Sequence, residues 1–375
     1  MVRIERSSMI CPRSLVSALA CLVLLFFGTA QADQQNSKLE FASQNANLPS
    51  VAIIATGGTI AERTDPETGG AVPGVSAKDL VAAVPGLSDI ANIGVIQFSN
   101  IDSSQMTPMD WAQLSTKLDE VLSREDISGA VVTHGTDTMA DGAFFADVTL
   151  KSDKPVVFTG AMNDASTPNP DGPGNMYNAV IQVLSPNAQN WGVSVTLNRY
   201  VNSARHVRKT QTTNVQTFNS GEKGYLGYVF NDHVQRFNNR LHRVRVSLPE
   251  TLPNTLPDVP LIMAYAGSDG RLLRHAVDTG AKGIVINGVG AGNVNSDVFD
   301  AIKYALAKDI PVVIATRVYH GNVEPIYGDA GGGETLLKAG CILAGDLSAA
   351  KARLLLMIGL LHHNADREAL AKLFE

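Results

Sequence analysis

The feature that most constrains this chain is a recurring unit. A short, continuously apolar run ends abruptly in a glycine- and threonine-bearing turn, and a helical pattern follows. Val51–Ala55 runs into Thr56-Gly57-Gly58, and Gly129–Thr133 runs into His134-Gly135-Thr136. Strands that are apolar throughout must be covered on both faces, which predicts a parallel sheet between two helical layers. Further strands are expected at Gly94–Phe98, Pro155–Thr159 and Val193–Leu197, with helices at Ala77–Val84, Met139–Leu150 and Gly174–Leu184. Thr107-Pro108-Met109-Asp110 supplies an N-cap, a proline at the first helical position and an acid three residues on, opening a helix to about Leu122. Ligands of such sheets bind beyond the carboxyl ends of the strands, where the polar turns of this chain fall.

A shift in composition divides the chain. Residues 247–260, SLPETLPNTLPDVP, hold four prolines and few core-forming residues and read as a linker. Beyond them the alternation resumes, with strands at Leu261–Tyr265, Gly283–Asn287 and Pro311–Thr316 and helices at Arg271–Thr279, Ser296–Ala307 and Ala349–Leu361. The expected fold class is α/β in two domains. A larger N-terminal domain, 49–246, carries a parallel-rich sheet flanked by helices, and a smaller α/β domain spans 261–375. No fixed-period repeat points to a solenoid or propeller.

The first 48 residues stand apart. Arg3, Arg6 and Arg13 precede an apolar run from Leu15 to Phe27, followed by Ala30-Gln31-Ala32. A basic region, a short apolar core and an A-x-A site read as a signal peptide, 1–32, cleaved on export to the periplasm. The polar stretch 33–48 reads as a flexible lead-in. The apolar run is short for a membrane span, so no membrane attachment is expected after cleavage. Cleavage removes three arginines and one glutamate from a chain whose net charge is −6, leaving it more acidic. Without a basic block, nucleic acid is excluded as a partner. Only Cys341 of three cysteines would remain, and within Gly340-Cys341-Ile342-Leu343-Ala344 it reads as a buried structural thiol.

Two turns carry candidate chemistry. Ala55-Thr56-Gly57-Gly58-Thr59-Ile60-Ala61 and Thr133-His134-Gly135-Thr136-Asp137-Thr138 each place a hydroxyl at a strand end beside glycines, where backbone N–H groups can approach a ligand. Asp137 adds a carboxylate suited to a substrate ammonium. A threonine hydroxyl is a poor nucleophile unless a neighbour takes its proton. Lys209 is a candidate if burial depresses its pKa. Singly, each motif also fits a tight turn or a solvated lysine. Gly288-Val289-Gly290-Ala291-Gly292 lacks the spacing of a dinucleotide turn and reads as structural. His362 and His363, adjacent at a helix end, do not share a face and read as a solvated cap.

Together the motifs resemble the L-asparaginase family, specifically its exported bacterial and glutaminase–asparaginase branches. ATGGTIA around Thr59 and THGTDTM around Thr136 carry the resemblance. It extends over residues 50–375 through NIDSSQMT, KPVVFTGAM, DGPGNMYNAV and KARLLLMIGL. The resemblance implies that Thr59 is the nucleophile attacking the side-chain amide of L-asparagine, with L-glutamine as a side substrate. It implies that Thr136, Asp137 and Lys209 form a second cluster, with Lys209 taking a proton and Thr136 assisting. Asp137 would bind the substrate α-ammonium and Ser103 its α-carboxylate. Ser104 would line the pocket, and the main-chain carbonyl of Ala161 would orient the amide. No metal or organic cofactor is implied. A homotetramer built as a dimer of dimers is.

The chain departs from the family in places. Members usually carry a tyrosine about a dozen residues after the first threonine, which activates it. Here the aligned position falls at Ala71 or Val72, and the first tyrosine of the chain is Tyr177. Tyr319 or Tyr327, reaching a site across a subunit interface, is the expected replacement. Ser104 stands where a glutamine is frequent, and Gly267 replaces an asparagine that partners contribute. The partner-subunit acid aligns loosely with Glu324 or Asp329. Two other readings follow from these departures: an amidase for another ω-amide amino acid, and an amino-acid-binding homologue with weak catalysis.

Overall fold

The computed structural model describes residues 38–375 except 43, 66, 241 and 242. The signal-peptide reading of 1–32 lies outside the described residues. Among the described residues, thirteen strands belong to the N-terminal part: β1 (Glu40–Phe41), β2 (Ser50–Ala55), β3 (Glu62–Thr64), β4 (Ala71–Pro73), β5 (Asn92–Gln97), β6 (Ile127–Thr133), β7 (Val156–Thr159), β8 (Val193–Leu197), β9 (Tyr200–Ser203), β10 (Arg208–Lys209), β11 (Phe218–Asn219), β12 (Gly227–Phe230) and β13 (His233–Arg236). Nine of them form one sheet in the order β1-β5-β2-β6-β7-β8-β9-β12-β13.

The five strands β5-β2-β6-β7-β8 run parallel, as their apolar character predicts. β2 shows why. Side chains alternate across a strand, so Val51, Ile53 and Ala55 face one apolar cluster with Leu80, Met176, Ala179 and Val183. Ala52 and Ile54 face the other, with Leu114 and Leu118 of helix Pro108–Leu122 and Ala143 and Ala146 of helix Met139–Thr149. Every residue of β2 is buried. The helix at Pro108 opens with the expected reciprocal cap: Thr107 accepts from the Asp110 amide, and Asp110 accepts from the Thr107 amide at 2.8 Å.

The sheet is wider and more mixed than the apolar runs suggest. β9, β12 and β13 extend it antiparallel beyond β8. β12 and β13 mix buried with exposed positions and β9 buries the polar Asn202 and Ser203, so all three lack the continuous apolar signature of the central strands. The lead-in also differs from a free segment. β1 pairs antiparallel with β5, and Asn92 bonds Asn45 and Leu48, so the described part of 33–48 is docked on the sheet edge.

The C-terminal part holds a parallel sheet of β14 (Leu261–Met263), β15 (Ile284–Gly288), β16 (Val312–Thr316) and β17 (Ile342–Leu343). Residues 243–260 contain no helix or strand, yet Val246, Leu248 and Val259 are buried. They join Trp111, Phe144 and Phe145 of the first part to Val285, Val313 and Leu355 of the second in one apolar cluster. Lys351, on the helix Ala349–His363, is fully buried and donates to the carbonyls of Ala204, Arg205 and Val207 at 2.8, 2.9 and 2.6 Å. That ammonium fixes the segment leading into Lys209 to the C-terminal part. Cys341 is buried, and burial pushes its thiol up to about 12. No helix among the described residues is long and apolar enough to cross a membrane.

Candidate active site

The register of the central strands brings the polar turns together. Ala55 lies opposite Thr133, and Thr133 opposite Thr159, so β2, β6 and β7 end level with one another. The Thr56 amide and hydroxyl both donate to the Thr133 carbonyl, at 3.0 and 2.9 Å, which ties the first turn to the second. Gly57 and Gly58 then turn the chain with φ of 113° and 80°. A Cβ on Gly58 would lie 2.2 Å from the Gly135 Cα, so the two turns touch backbone to backbone and only glycine fits. Beyond this contact, Thr59 opens a single turn of 3-10 helix, Thr59–Ala61.

The second turn presents the expected cluster. Lys209 Nζ donates to Thr136 Oγ1 at 3.0 Å and pairs with Asp137 Oδ1 at 2.6 Å. Thr136 is buried, whereas the Asp137 side chain is 63% exposed. Lys209 meets the condition of burial only in part, since 20% of its side chain is exposed. It sits on β10, paired to Phe218 of β11.

Ser103 is buried in a short 3-10 turn, Ser103–Gln105, capped by Asp102. Its carbonyl accepts the Thr138 hydroxyl at 2.8 Å, and a Cβ on Gly135 would lie 2.6 Å from its Oγ. Ser103 therefore borders the second turn directly. Ser104 next to it is exposed, its hydroxyl accepting only from Gln105 at 3.3 Å. Ala161 follows the end of β7. The chain around it is held by Asp171, whose carboxylate accepts from the amides of Met162 and Asn163. A Cβ on Gly172 would meet both Ile60 and Ala161, so this segment lies against the Thr59 turn. Thr59, Thr136, Asp137, Lys209, Ser103 and Ala161 thus gather at one sheet edge, with Ser104 at its rim.

Two further groups belong to this edge. His134 is fully buried, accepting from Trp111 Nε1 at 3.2 Å and contacting the Gly135 carbonyl through Nδ1 at 2.7 Å. Burial lowers its pKa to about 4, so it is neutral at pH 7, donates from Nδ1 and stiffens the second turn. Trp111 is thereby a partner of the site as well as a core residue. The other group is Glu62. It is buried, and its carboxylate lies near the Thr59 hydroxyl. Burial raises its pKa, the Thr59 hydroxyl opposes this, and the carboxylates of Asp102, Asp164 and Asp137 add to the rise. Sequence reading passed over Glu62 while seeking a tyrosine. Its signal was its place three residues after Thr59, one 3-10 turn on.

Of the two tyrosines expected to act across a subunit interface, Tyr319 borders the strand that carries Lys209 in this chain. Tyr319 packs against Arg208 at 4.7 Å and its hydroxyl donates to the Asn219 carbonyl at 3.4 Å. Tyr327 is half exposed. Among the described residues, no group of three or more His, Cys, Asp or Glu side chains is placed to hold a metal ion.

Known proteins resemble this chain over most of its length. The asparaginase N-terminal family model matches residues 50–242, and the glutaminase/asparaginase C-terminal domain model matches 258–374. The chain is 39% identical over 348 residues to L-asparaginase 2 of Escherichia coli K12, covering 92% of this chain and 94% of that protein. It is 38% identical over 319 residues to a protein of Haemophilus influenzae named probable periplasmic L-asparaginase, covering 84% and 89%. The crystal structure of a probable cytoplasmic L-asparaginase from Campylobacter jejuni superposes with a TM-score of 0.78 at 36% identity, covering 87% of this chain and 99% of that one. With family models covering both halves and relatives this similar over most of its length, the chain belongs to the asparaginase family.

Proposed function

We propose that this protein hydrolyses the side-chain amide of L-asparagine to L-aspartate and ammonia, with Thr59 as the nucleophile. The observation that carries the reading is the meeting of the two threonine turns at Gly58 and Gly135, which puts Thr59 and the Lys209–Thr136–Asp137 cluster at one sheet edge. Asp137 is exposed and acidic, as capture of an α-ammonium requires, and Ser103 beside it is the partner for the α-carboxylate. Thr59 Oγ1 attacks the amide carbon, backbone N–H groups of the two turns stabilise the oxyanion, and ammonia leaves. Water then releases aspartate, with Thr136 and Lys209 relaying protons and the Ala161 carbonyl orienting the amide. L-Glutamine is one methylene longer, and a side activity on it is part of the proposal.

The remaining readings complete it. Residues 49–246 and 261–375 are taken as the two domains, joined by 247–260. The N-terminal pattern through Ala32 supports export to the periplasm. Exposed Leu261, Met263, Tyr265 and Leu272 cluster at the β14 edge and suit association with further copies, as a tetramer requires. Ammonia release from purified protein with L-asparagine, L-glutamine and D-asparagine, beside Thr59→Ala, tests the proposal. Release from L-asparagine that is lost in the variant is expected. Undiminished release by the variant would exclude Thr59 as nucleophile.

A further inference from the structure

We infer that Glu62 is the general base that activates Thr59, filling the role of the tyrosine this chain lacks. The inference rests on Thr59 being the nucleophile.

Three observations carry it. First, the geometry is set by the backbone. The 3-10 turn Thr59–Ala61 has three residues per turn, so position 62 returns to the side of position 59. The Glu62 amide donates to the Thr59 carbonyl, which holds the two residues together, and the Glu62 carboxylate lies near the Thr59 hydroxyl. A base must come within hydrogen-bond reach of the proton it takes, and the turn sets Glu62 beside Thr59 for this.

Second, the hairpin explains how the role could move. β3 and β4 pair with Glu62 opposite Pro73, Arg63 opposite Val72 and Thr64 opposite Ala71. Ala71 and Val72, where a tyrosine is expected, therefore lie on the strand alongside Glu62. The amides of Gly74 and Val75 both donate to the Ala61 carbonyl, fastening the base of this hairpin to the Thr59 turn. The proton acceptor has passed from one strand of the hairpin to the other.

Third, Glu62 has no structural excuse. It is buried, and the carboxylates of Asp102, Asp164 and Asp137 act on it. A buried acid among acids costs folding free energy, and such positions persist where chemistry uses them. Its raised pKa brings its basicity closer to what proton abstraction near neutral pH needs.

The Thr59 Oγ1–C bond forms while the hydroxyl proton passes to Glu62. The resulting carboxylic acid returns that proton to the amide nitrogen as the C–N bond breaks and ammonia leaves. In deacylation the proton of the attacking water, relayed by Thr136 and Lys209, reaches Glu62 as the new C–O bond forms, and Glu62 gives it to Thr59 Oγ1 as the ester breaks.

The test compares the wild type with Glu62→Gln, Glu62→Ala, Thr59→Ala and the double variant Tyr319→Phe/Tyr327→Phe. Steady-state ammonia release from L-asparagine is measured between about pH 4 and pH 9, with circular dichroism confirming folding. Glu62→Gln is expected to lower kcat about 100-fold or more, with little change in KM, and to abolish the acid limb of the pH profile. Formate is expected to restore part of the rate of Glu62→Ala, and the double tyrosine variant to keep its rate. An unchanged rate in folded Glu62→Gln, or a lowered rate with the acid limb intact, would overturn the assignment while a dead Thr59→Ala left the nucleophile in place. An active Thr59→Ala would instead remove the reading beneath it.

Discussion

Replacing Gly58 by alanine probes the contact on which the site is built. Two costs can be worked from the structure. Gly58 has φ 80° and ψ −179°, a conformation nearly confined to glycine, and an alanine there costs about 1–3 kcal/mol. The added Cβ would also lie 2.2 Å from the Gly135 Cα, where ordinary carbon contacts are about 3.5–4.0 Å. The turns must therefore part by more than about 1 Å, and such overpacking costs a further ~1–3 kcal/mol. Gly280→Ala is the control, because Gly280 has φ 99° with nothing within 4 Å of its Cβ position. It carries a conformational cost of about 1–2 kcal/mol and no clash. Calorimetry should show Gly58→Ala losing roughly twice as much stability as Gly280→Ala. A displacement of about 1 Å at reacting groups can cost 100-fold, so kcat for ammonia release should fall on that scale in Gly58→Ala alone. Equal Tm losses and an undiminished kcat would refute the claim that the turn contact positions Thr59 against the second cluster.

Two other perturbations follow from the site. Lys209→Met removes the donor that links Thr136 and Asp137, and kcat should drop by about 100-fold or more with the fold intact by circular dichroism. His134 is buried neutral with a pKa of about 4 against an ordinary 6.5. Between those values the unfolded chain binds a proton that the folded one does not, so stability is retained above about pH 6.5 and lost as pH falls towards 4. The loss amounts to about 3 kcal/mol. Urea unfolding across this range should show that slope in the wild type and a shallower one in His134→Asn.

The central sheet was legible because β2, β6 and β7 are apolar on both faces, and nothing but a covered parallel sheet suits such runs. The capped helix at Pro108 was legible for an equally local reason, its Thr107–Asp110 box. β12 and β13 escaped because their partly exposed residues carry no continuous apolar pattern, and β9 because it buries the polar Asn202 and Ser203. The docking of β1 escaped because two residues and a distant asparagine, Asn92, define it. At the site, the clustered glycines and threonines marked both turns. What sequence could not supply was which side chain each turn would face. Glu62 and Trp111 acquire their roles from a 3-10 turn and from packing across 23 residues of chain.

The most direct test of the account is to catch the intermediate. Purified protein mixed with L-asparagine and quenched in acid within milliseconds should yield a peptide containing Thr59 that is heavier by asparagine less ammonia, and Thr59→Ala should yield no adduct. An adduct on Thr136, or full turnover by Thr59→Ala, would contradict the account.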